Sequence, residues 1–364
     1  MKAAVCRAFG QPMTIEDVQV APPGAGEIRV RLAACAICHS DIFYADGAWG
    51  GDLPLVLGHE AAGIVESVGE GVTTATPGDH VVVTLIRACG ECPSCAVGMP
   101  VTCGAQFPLD AATPIRTTAG EALGHGLRTA GFAEMVTVDH SQAVVIPKDI
   151  PLDSASLLAC GVITGFGAVA NTAKMEAGAT AAVIGTGGVG LNSIQGAALN
   201  GASIVIAVDV ADDKLVAARA FGATHTINSR TEDLTAAIHA LTEGRGVDYV
   251  FATVGVKQAI AQCFGIAAPG GAIVLVGMPP SGDMVDLDPG TVAALNQRIL
   301  GSKMGGARIQ TDIPYLVALY RQGRLKLDEL ITGRYPLDQI NEAIASVKRG
   351  EALRNVIVFP EVMP

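Results

Sequence analysis

Residues 35–41 read CAICHSD, with Cys35 and Cys38 in C-x-x-C spacing ahead of His39, Ser40 and Asp41. Three chemistries use such a group: a redox dithiol, half of a structural zinc site, or a catalytic metal centre in which one cysteine is the ligand. Two later stretches bear on the choice. GHE (58–60) offers His59 and Glu60, and ACGVITG (159–165) offers Cys160. A catalytic zinc takes three protein ligands and keeps one position open, and Cys38, His59 and Cys160 supply a Cys2His set. Gly63 excludes an H-E-x-x-H protease helix. On spacing alone His59 is equally an ordinary structural histidine. A second cysteine group, Cys89, Cys92, Cys95 and Cys103, has the pattern C-x2-C-x2-C-x7-C. Four thiolates on one short lobe close a tetrahedral zinc site with no open position. An iron–sulfur cluster or four reduced thiols are the alternatives.

A third motif binds a different ligand. In VIGTGGVG (183–190), Gly185, Gly187 and Gly190 form G-x-G-x-x-G directly after an apolar run. Glycines there permit a tight turn and bring backbone N–H groups to a pyrophosphate at a helix N-terminus. SIVIAVD follows and places Asp209 at the end of the next strand, where an acid hydrogen-bonds the adenosine ribose hydroxyls. A carboxylate at that point repels a 2′-phosphate, so NAD is favoured over NADP. A glycine-rich turn beside a solvent-facing aspartate is the plainer alternative. Arg354, in LRNVIVF, reads by itself as a surface arginine.

These residues need elements to hold them. Over the first 150 residues, EIRVRLAA, AAGIVESVG, HVVVTLI and AEMVTVD read as short strands punctuated by glycine and proline. After about residue 152 apolar strands alternate with helical segments: AAVIG, SIVIAVD, KLVAARAFG, DYVFATVG and GAIVLVG. That alternation implies a parallel sheet with helices on both faces. From about 300, DIPYLVALYRQG and LDQINEAIASVKRG read as helices, and RNVIVFP as a closing strand.

Composition bounds the rest. The chain of 364 residues is 50% hydrophobic and 16% charged, with 44 glycines, which fits two globular domains. A net charge of −11 argues against nucleic acid and anionic membrane as partners. Residues 177–208 run without a charge, but glycines, asparagines and a glutamine break the run, so strand–turn–helix–strand is expected rather than a membrane span. The N-terminus lacks a secretory h-region. A cytoplasmic chain with reduced cysteines is expected, and its clustered cysteines point to metal.

Taken together, CHSD, GHE, the four-cysteine lobe, CGVITG, GTGGVG and VD resemble, in order and approximate separation, the zinc-containing medium-chain alcohol dehydrogenases, with affinity to the class III and bacterial long-chain types. The resemblance covers nearly the whole chain. It implies a GroES-like β-rich catalytic domain (1–152 and 300–364) split by an inserted Rossmann doubly wound parallel sheet (153–299), with the active site in the cleft. It implies two zincs per chain and NAD. Cys38, His59 and Cys160 hold catalytic zinc, and Cys89, Cys92, Cys95 and Cys103 hold structural zinc. Ser40 takes the alcohol proton, Asp41 orients His59, and Glu60 sits behind the metal. His39 and Arg354 touch the cofactor pyrophosphate. Gly185, Gly187, Gly188, Val189 and Gly190 form the dinucleotide loop, and Val189 and Thr164 also meet the nicotinamide. Asp209 and Lys214 hold the adenosine ribose, and Val276 and Met278 lie near the nicotinamide. A cysteine as third ligand, Cys160, matches the dimeric alcohol dehydrogenases and glutathione-type formaldehyde dehydrogenases; polyol dehydrogenases tend to a carboxylate there.

One position departs from the pattern. Some members end the proton relay with a histidine five residues after the first zinc cysteine, where this chain has Phe43. The resemblance also places Trp49, Leu85 and Phe132 along an apolar substrate channel, suited to a primary aliphatic or aromatic alcohol and its aldehyde. Oxidation of a hydroxymethyl thiol adduct is the enzymatic alternative and calls for a cationic pocket, with Arg116, Arg128 and Arg308 as candidates. A non-catalytic NAD-binding protein is the alternative of another class. A homo-oligomer, dimer or tetramer, is expected, with AIVLVGMP (272–279) as the exposed edge strand of the sheet. Cys35 is assigned to packing.

Overall fold

The computed structural model describes residues 1–359 and 362. It divides into two compact units, Met1–Cys160 with Arg308–Pro364, and Gly161–Ala307. The family resemblance implies cuts at 152/153 and 299/300; the compact units divide at Cys160/Gly161 and Ala307/Arg308.

The first unit is built on one long strand, Glu27–Ala36. Its first half alternates, with Ile28, Val30 and Leu32 buried and Arg31 exposed, the mark of a strand with one wet face. Its second half, Ala33–Ala36, is buried on both faces. The residues there are small, three alanines and a cysteine, and a strand pairs along each edge. Glu60–Val68 pairs antiparallel along one edge (Cys35 opposite Ala61, Ala36 opposite Glu60). Arg354–Val358 pairs antiparallel along the other (Ile357 opposite Cys35, Val356 opposite Ala36). Met135–Asp139 pairs with the first half of the strand. The C-terminal strand therefore completes a sheet begun by residues 27–36, which is why the first unit is discontinuous in sequence. Strands Lys2–Cys6, Thr14–Val20, Ile115–Thr117, Ala122–His125 and Leu55–Val56 close into a small barrel beside it.

In the second unit, hydrophobic runs become parallel strands buried on both faces, as helix-covered sheets require. Their order across the sheet is His225–Asn228, Ile204–Asp209, Thr180–Ile184, Val247–Ala252, Ala267–Leu275, Arg298–Gly301. This 3-2-1-4-5-6 arrangement is the doubly wound dinucleotide-binding order. The charge-free run resolves into strand Thr180–Ile184, helix Gly188–Leu199 and strand Ile204–Asp209. Among the described residues no single helix is long and apolar enough to cross a membrane.

One expectation is overturned. The segment 272–279 is not an edge: Ala267–Leu275 lies between Val247–Ala252 and Arg298–Gly301, with Ala272 opposite Arg298. The edge strand on that side of the sheet is only four residues, RILG, too short and too mixed in polarity to stand out as a strand.

Gly58, in GHE, shows how the segment 131–132 fixes the backbone that carries His59. Its φ is +91°, and a Cβ there would lie 2.6 Å from the Phe132 amide nitrogen. The segments are stitched together by Phe132 N–H donating to the Leu57 carbonyl at 2.8 Å and Gly131 N–H donating to the Gly58 carbonyl at 2.8 Å. Replacing Gly58 by alanine combines left-handed strain with backbone overlap. Gly58→Ala is expected to destabilise the fold by about 2 kcal/mol or more, seen as a lowered thermal midpoint.

Candidate functional site

The buried cluster grows from Asp41. Residues His39–Ala45 form a short helix preceded by Cys38. Asp41, with no exposed surface, turns its carboxylate back on the chain. Oδ2 accepts the Cys38 backbone N–H at 3.0 Å, and Oδ1 accepts the Gly58 N–H at 3.0 Å and meets His59 Nδ1 at 3.0 Å. One carboxylate thus ties together two segments that each carry a candidate ligand. Holding Nδ1 as donor leaves Nε2 as the lone-pair nitrogen of His59. Nε2 is buried and makes no hydrogen bond among the described residues.

Ligand atoms of Cys38, His59, Glu60 and Cys160 all lie within 4.8 Å of one another, and all four residues are buried. Their protonation shows one shared demand. The contact with Cys160 holds the Cys38 thiol well below the ordinary thiol range, and the same contact, with burial, pushes Cys160 well above it. Burial pushes Glu60 up to about 7 against the pull of Arg354. For His59, burial works against charge, but Asp41 and the neighbouring Cys38 thiol prevail and raise it. Cys160, Glu60 and His59 are thus drawn towards protonation while Cys38 is drawn towards the thiolate, a set that a divalent cation could neutralise in place of protons. A buried sulfur–sulfur–imidazole set with a free ring nitrogen fits zinc.

Arg354 is not a surface residue. It is 6% exposed, and its guanidinium pairs with Glu60 at 2.5 Å. Strand register explains the meeting, since Ala36 faces Glu60 on one side and Val356 on the other. Ser40 is half-buried in the first turn of the helix and His39 is exposed. Phe43 packs edge-on against Trp49, centroids 5.9 Å apart at 88°. Leu85 is half-buried. Phe132, expected on the substrate channel, instead has no exposed surface and belongs to the core of the first unit. It is needed there as the residue that the Gly58 backbone crosses. Cys35 lies within the central strand, with Gly131 directly over its sulfur.

The four-cysteine lobe is a second cluster, its sulfurs within 4.8 Å of one another. Cys103 Sγ lies 3.8 Å from Cys92 Sγ and 3.7 Å from Cys89 Sγ. Four sulfurs at about 2.3 Å from a single tetrahedral ion are about 3.8 Å apart, whereas a disulfide needs about 2.05 Å. Backbone amides aim at the sulfurs: Cys92 N–H donates to Cys89 Sγ at 3.3 Å and Cys89 N–H to Cys103 Sγ at 3.4 Å. Amides of Cys95 and Gly104 lower the Cys92 thiol to about 6. Spacing this tight around one point suits a single zinc ion rather than the multi-atom core of an iron–sulfur cluster.

In the second unit the glycine loop sorts into distinct roles. A Cβ on Gly190 would sit 1.9 Å from the Gly185 carbonyl, so helix and strand could not approach. Gly187 has nothing within 4 Å of such a Cβ. No protein contact calls for glycine there; an external group passing close to the backbone does, and this fits a dinucleotide pyrophosphate. Asp209 ends its strand with Oδ2 accepting from Thr186 N–H at 2.7 Å and Thr186 Oγ1 at 2.8 Å. Lys214 lies in the first turn of the next helix and Val189 early in the helix after the loop. Thr164 is buried and its hydroxyl meets Met304 Sδ at 3.7 Å. Val276 is buried, while Met278 is 61% exposed.

Comparison with known proteins gives these features a context. A GroES-like alcohol dehydrogenase domain profile matches residues 24–148, and a zinc-binding dehydrogenase profile matches residues 188–321. "Probable S-(hydroxymethyl)glutathione dehydrogenase 1" of Schizosaccharomyces pombe is 39% identical over 98% of this chain and 96% of its own length. The chain belongs to the zinc-type medium-chain alcohol dehydrogenases. Among solved structures, an alcohol dehydrogenase zinc-binding domain protein from Burkholderia ambifaria superposes with a TM-score of 0.94 at 37% identity, covering 100% of this chain and 98% of that one. Benzyl alcohol dehydrogenase from Acinetobacter calcoaceticus superposes at 0.91 and 32% identity, covering 98% and 99%. The zinc-dependent oxidoreductase expected from the motifs is thus the family's class of enzyme.

Sequence reasoning reached the ligand candidates but missed two partners, the Glu60–Arg354 ion pair and the Thr186 hydroxyl on Asp209. Neither has a local signature, because both need strand register. Asp41→Asn removes the charge that fixes His59 and the Cys38 backbone. It is expected to weaken retention of the zinc held there about 10–100-fold, measured by competition with a chromophoric chelator. Cys95→Ser is expected to reduce zinc from two per chain to one by elemental analysis.

Proposed function

We propose that this protein is a zinc- and NAD-dependent dehydrogenase that interconverts a primary alcohol, aliphatic or aromatic, and its aldehyde. The observation that carries the proposal is the buried convergence of Cys38, His59 and Cys160, with Ser40 two residues beyond the first ligand. Zinc held by these three residues supplies Lewis acidity that lets an alcohol shed its proton near neutral pH. NAD supplies the hydride acceptor. The chain does the rest. Ser40 Oγ receives the alcohol proton. Asp41 keeps His59 in the tautomer and orientation that ligation needs. Phe43 offers no acceptor, so the proton leaves Ser40 without a histidine to receive it. Glu60, held by Arg354, keeps a carboxylate behind the ligands. His39, Thr164, Val189 and the 185–190 loop would contact the cofactor, and Asp209 with Lys214 its adenosine ribose, favouring NAD.

Substrate class rests on the Phe43–Trp49 edge-to-face pair, which follows Ser40 on the same short segment and offers apolar, aromatic surface. The thiol-adduct alternative draws support from the fission yeast relative. Two of its three cationic candidates are engaged elsewhere: the Arg116 guanidinium donates to the Gly120 carbonyl and the Arg128 guanidinium faces Asp110 at 3.5 Å. The protein would work as a cytoplasmic homo-oligomer, dimer or tetramer, with Arg298–Gly301 as the sheet edge open to a second copy.

Two measurements test the proposal. Cys38→Ser should abolish turnover, by about 1000-fold or more, while NADH binding followed by fluorescence stays near wild type. Retained turnover would rule the mechanism out. A panel of linear alcohols, benzylic alcohols and formaldehyde with and without glutathione should show the highest kcat/KM for a free primary alcohol. A rate with formaldehyde that depends on added thiol and exceeds all of these assigns the enzyme to thiol adducts instead.

A further inference from the structure

We propose that Thr186 is the positioning residue that fixes Asp209 and so sets how strongly the enzyme prefers NAD to NADP. The inference rests on the assignment of Asp209 to the adenosine ribose and goes beyond it, to what makes that carboxylate selective.

Four protein donors, two on each oxygen, hold the Asp209 carboxylate, and a ribose hydroxyl joins one of these oxygens as a further, shared donor. Oδ2 accepts from Thr186 N–H at 2.7 Å and Thr186 Oγ1 at 2.8 Å; Oδ1 accepts from Val210 N–H at 2.8 Å and Ala211 N–H at 3.2 Å. The residue's backbone is pinned too. Its carbonyl accepts Ser229 N–H at 3.0 Å, and Asp209 sits opposite Asn228 in the ladder. Three of the four donors are backbone amides, which any sequence provides. The fourth is the hydroxyl of the variable residue inside G-x-G, and Thr186 has no exposed surface. If Asp209 rotated away, that hydroxyl would be left buried with its bond broken, a penalised state. Asp209 is thus locked against the loop.

The lock has a consequence for the ligand. A mobile aspartate at this position can retreat from an incoming 2′-phosphate, so its repulsion is partly escaped. A locked one cannot, and charge repulsion at short range is expressed in full. The same lock holds the acceptor in place for ribose hydroxyls without an ordering cost at binding. A hydroxyl at position 186 therefore contributes to discrimination, while a methyl of the same volume does not.

The test uses zinc-loaded enzyme without alcohol, and reads the calorimetric dissociation constants of NADH and NADPH. Thr186→Val keeps the volume and removes the donor. Its ratio Kd(NADPH)/Kd(NADH) should fall about tenfold relative to wild type. Thr186→Ser, which restores the hydroxyl, should stay within about twofold. Thr186→Ala serves as a second hydroxyl-free variant should valine fail to fold, with the same fall expected. Asp209→Gly should lower the ratio at least as far. A purely structural threonine would lower the thermal midpoint yet leave the ratio unchanged in both hydroxyl-free variants while Asp209→Gly still lowers it; that result overturns the inference and spares the cofactor assignment. An unchanged ratio in Asp209→Gly overturns the assignment itself, and the inference with it.

Discussion

The catalytic unit depends on the carboxylate of Asp41. It is buried, and its three bonds go to the Cys38 amide, the Gly58 amide and the His59 ring. A metal centre assembled from distant segments needs its ligands held before the ion arrives, or the ion's binding energy is spent on ordering chain. Asp41 does this from a helix only seven residues long. Such a helix has little stability of its own. It is held in place by its carboxylate reaching into the sheet, so the local helix and the ligand geometry stand or fall together.

A second constraint acts through the central strand. Residues 33–36 pair with a neighbouring strand along each edge, and the two registers together bring Glu60 and Arg354 into contact. The two residues are almost three hundred positions apart in sequence. Their ion pair is fully desolvated, and a pair of that kind stabilises little by itself but is costly to break from one side. Its value lies in register. Arg354 can reach Glu60 only if the C-terminal strand lies in its observed alignment, so the discontinuous unit is closed in one way.

How much of this was legible in the sequence follows from the range of each interaction. The glycine loop, the four-cysteine lobe and the CHSD segment are local: their spacing within about fifteen residues already encodes the geometry. The strands were recognisable by alternation, and Asp209 by its distance from the loop. Properties that depend on sheet order were hidden. Arg354 read as a surface residue because its partner is supplied by strand pairing, and segment 272–279 read as an edge because the short strand Arg298–Gly301 that covers it has no strong pattern. Phe132 read as pocket lining because its aromatic character suits a channel as well as a core; only the close passage of Gly58 decides for the core. The Thr186 hydroxyl lay in plain sight within G-x-G, at a position the motif treats as free.

The same cluster explains why the metal, the fold and the C-terminus are coupled. Cys38, Cys160, Asp41 and Glu60 put four acidic groups into a dry region, and Arg354 is paired into it through Glu60. Charge in such a place must be compensated or neutralised by protons. The protein's own groups show the neutralised solution: Cys160 keeps its proton, Glu60 rises to about 7, and His59 is drawn towards protonation. A divalent cation offers the other solution, because it stabilises both thiolates and takes the lone pair of His59 Nε2 in place of a proton. Zinc held at this cluster would exchange protons for metal, and would bind more tightly as pH rises towards neutrality.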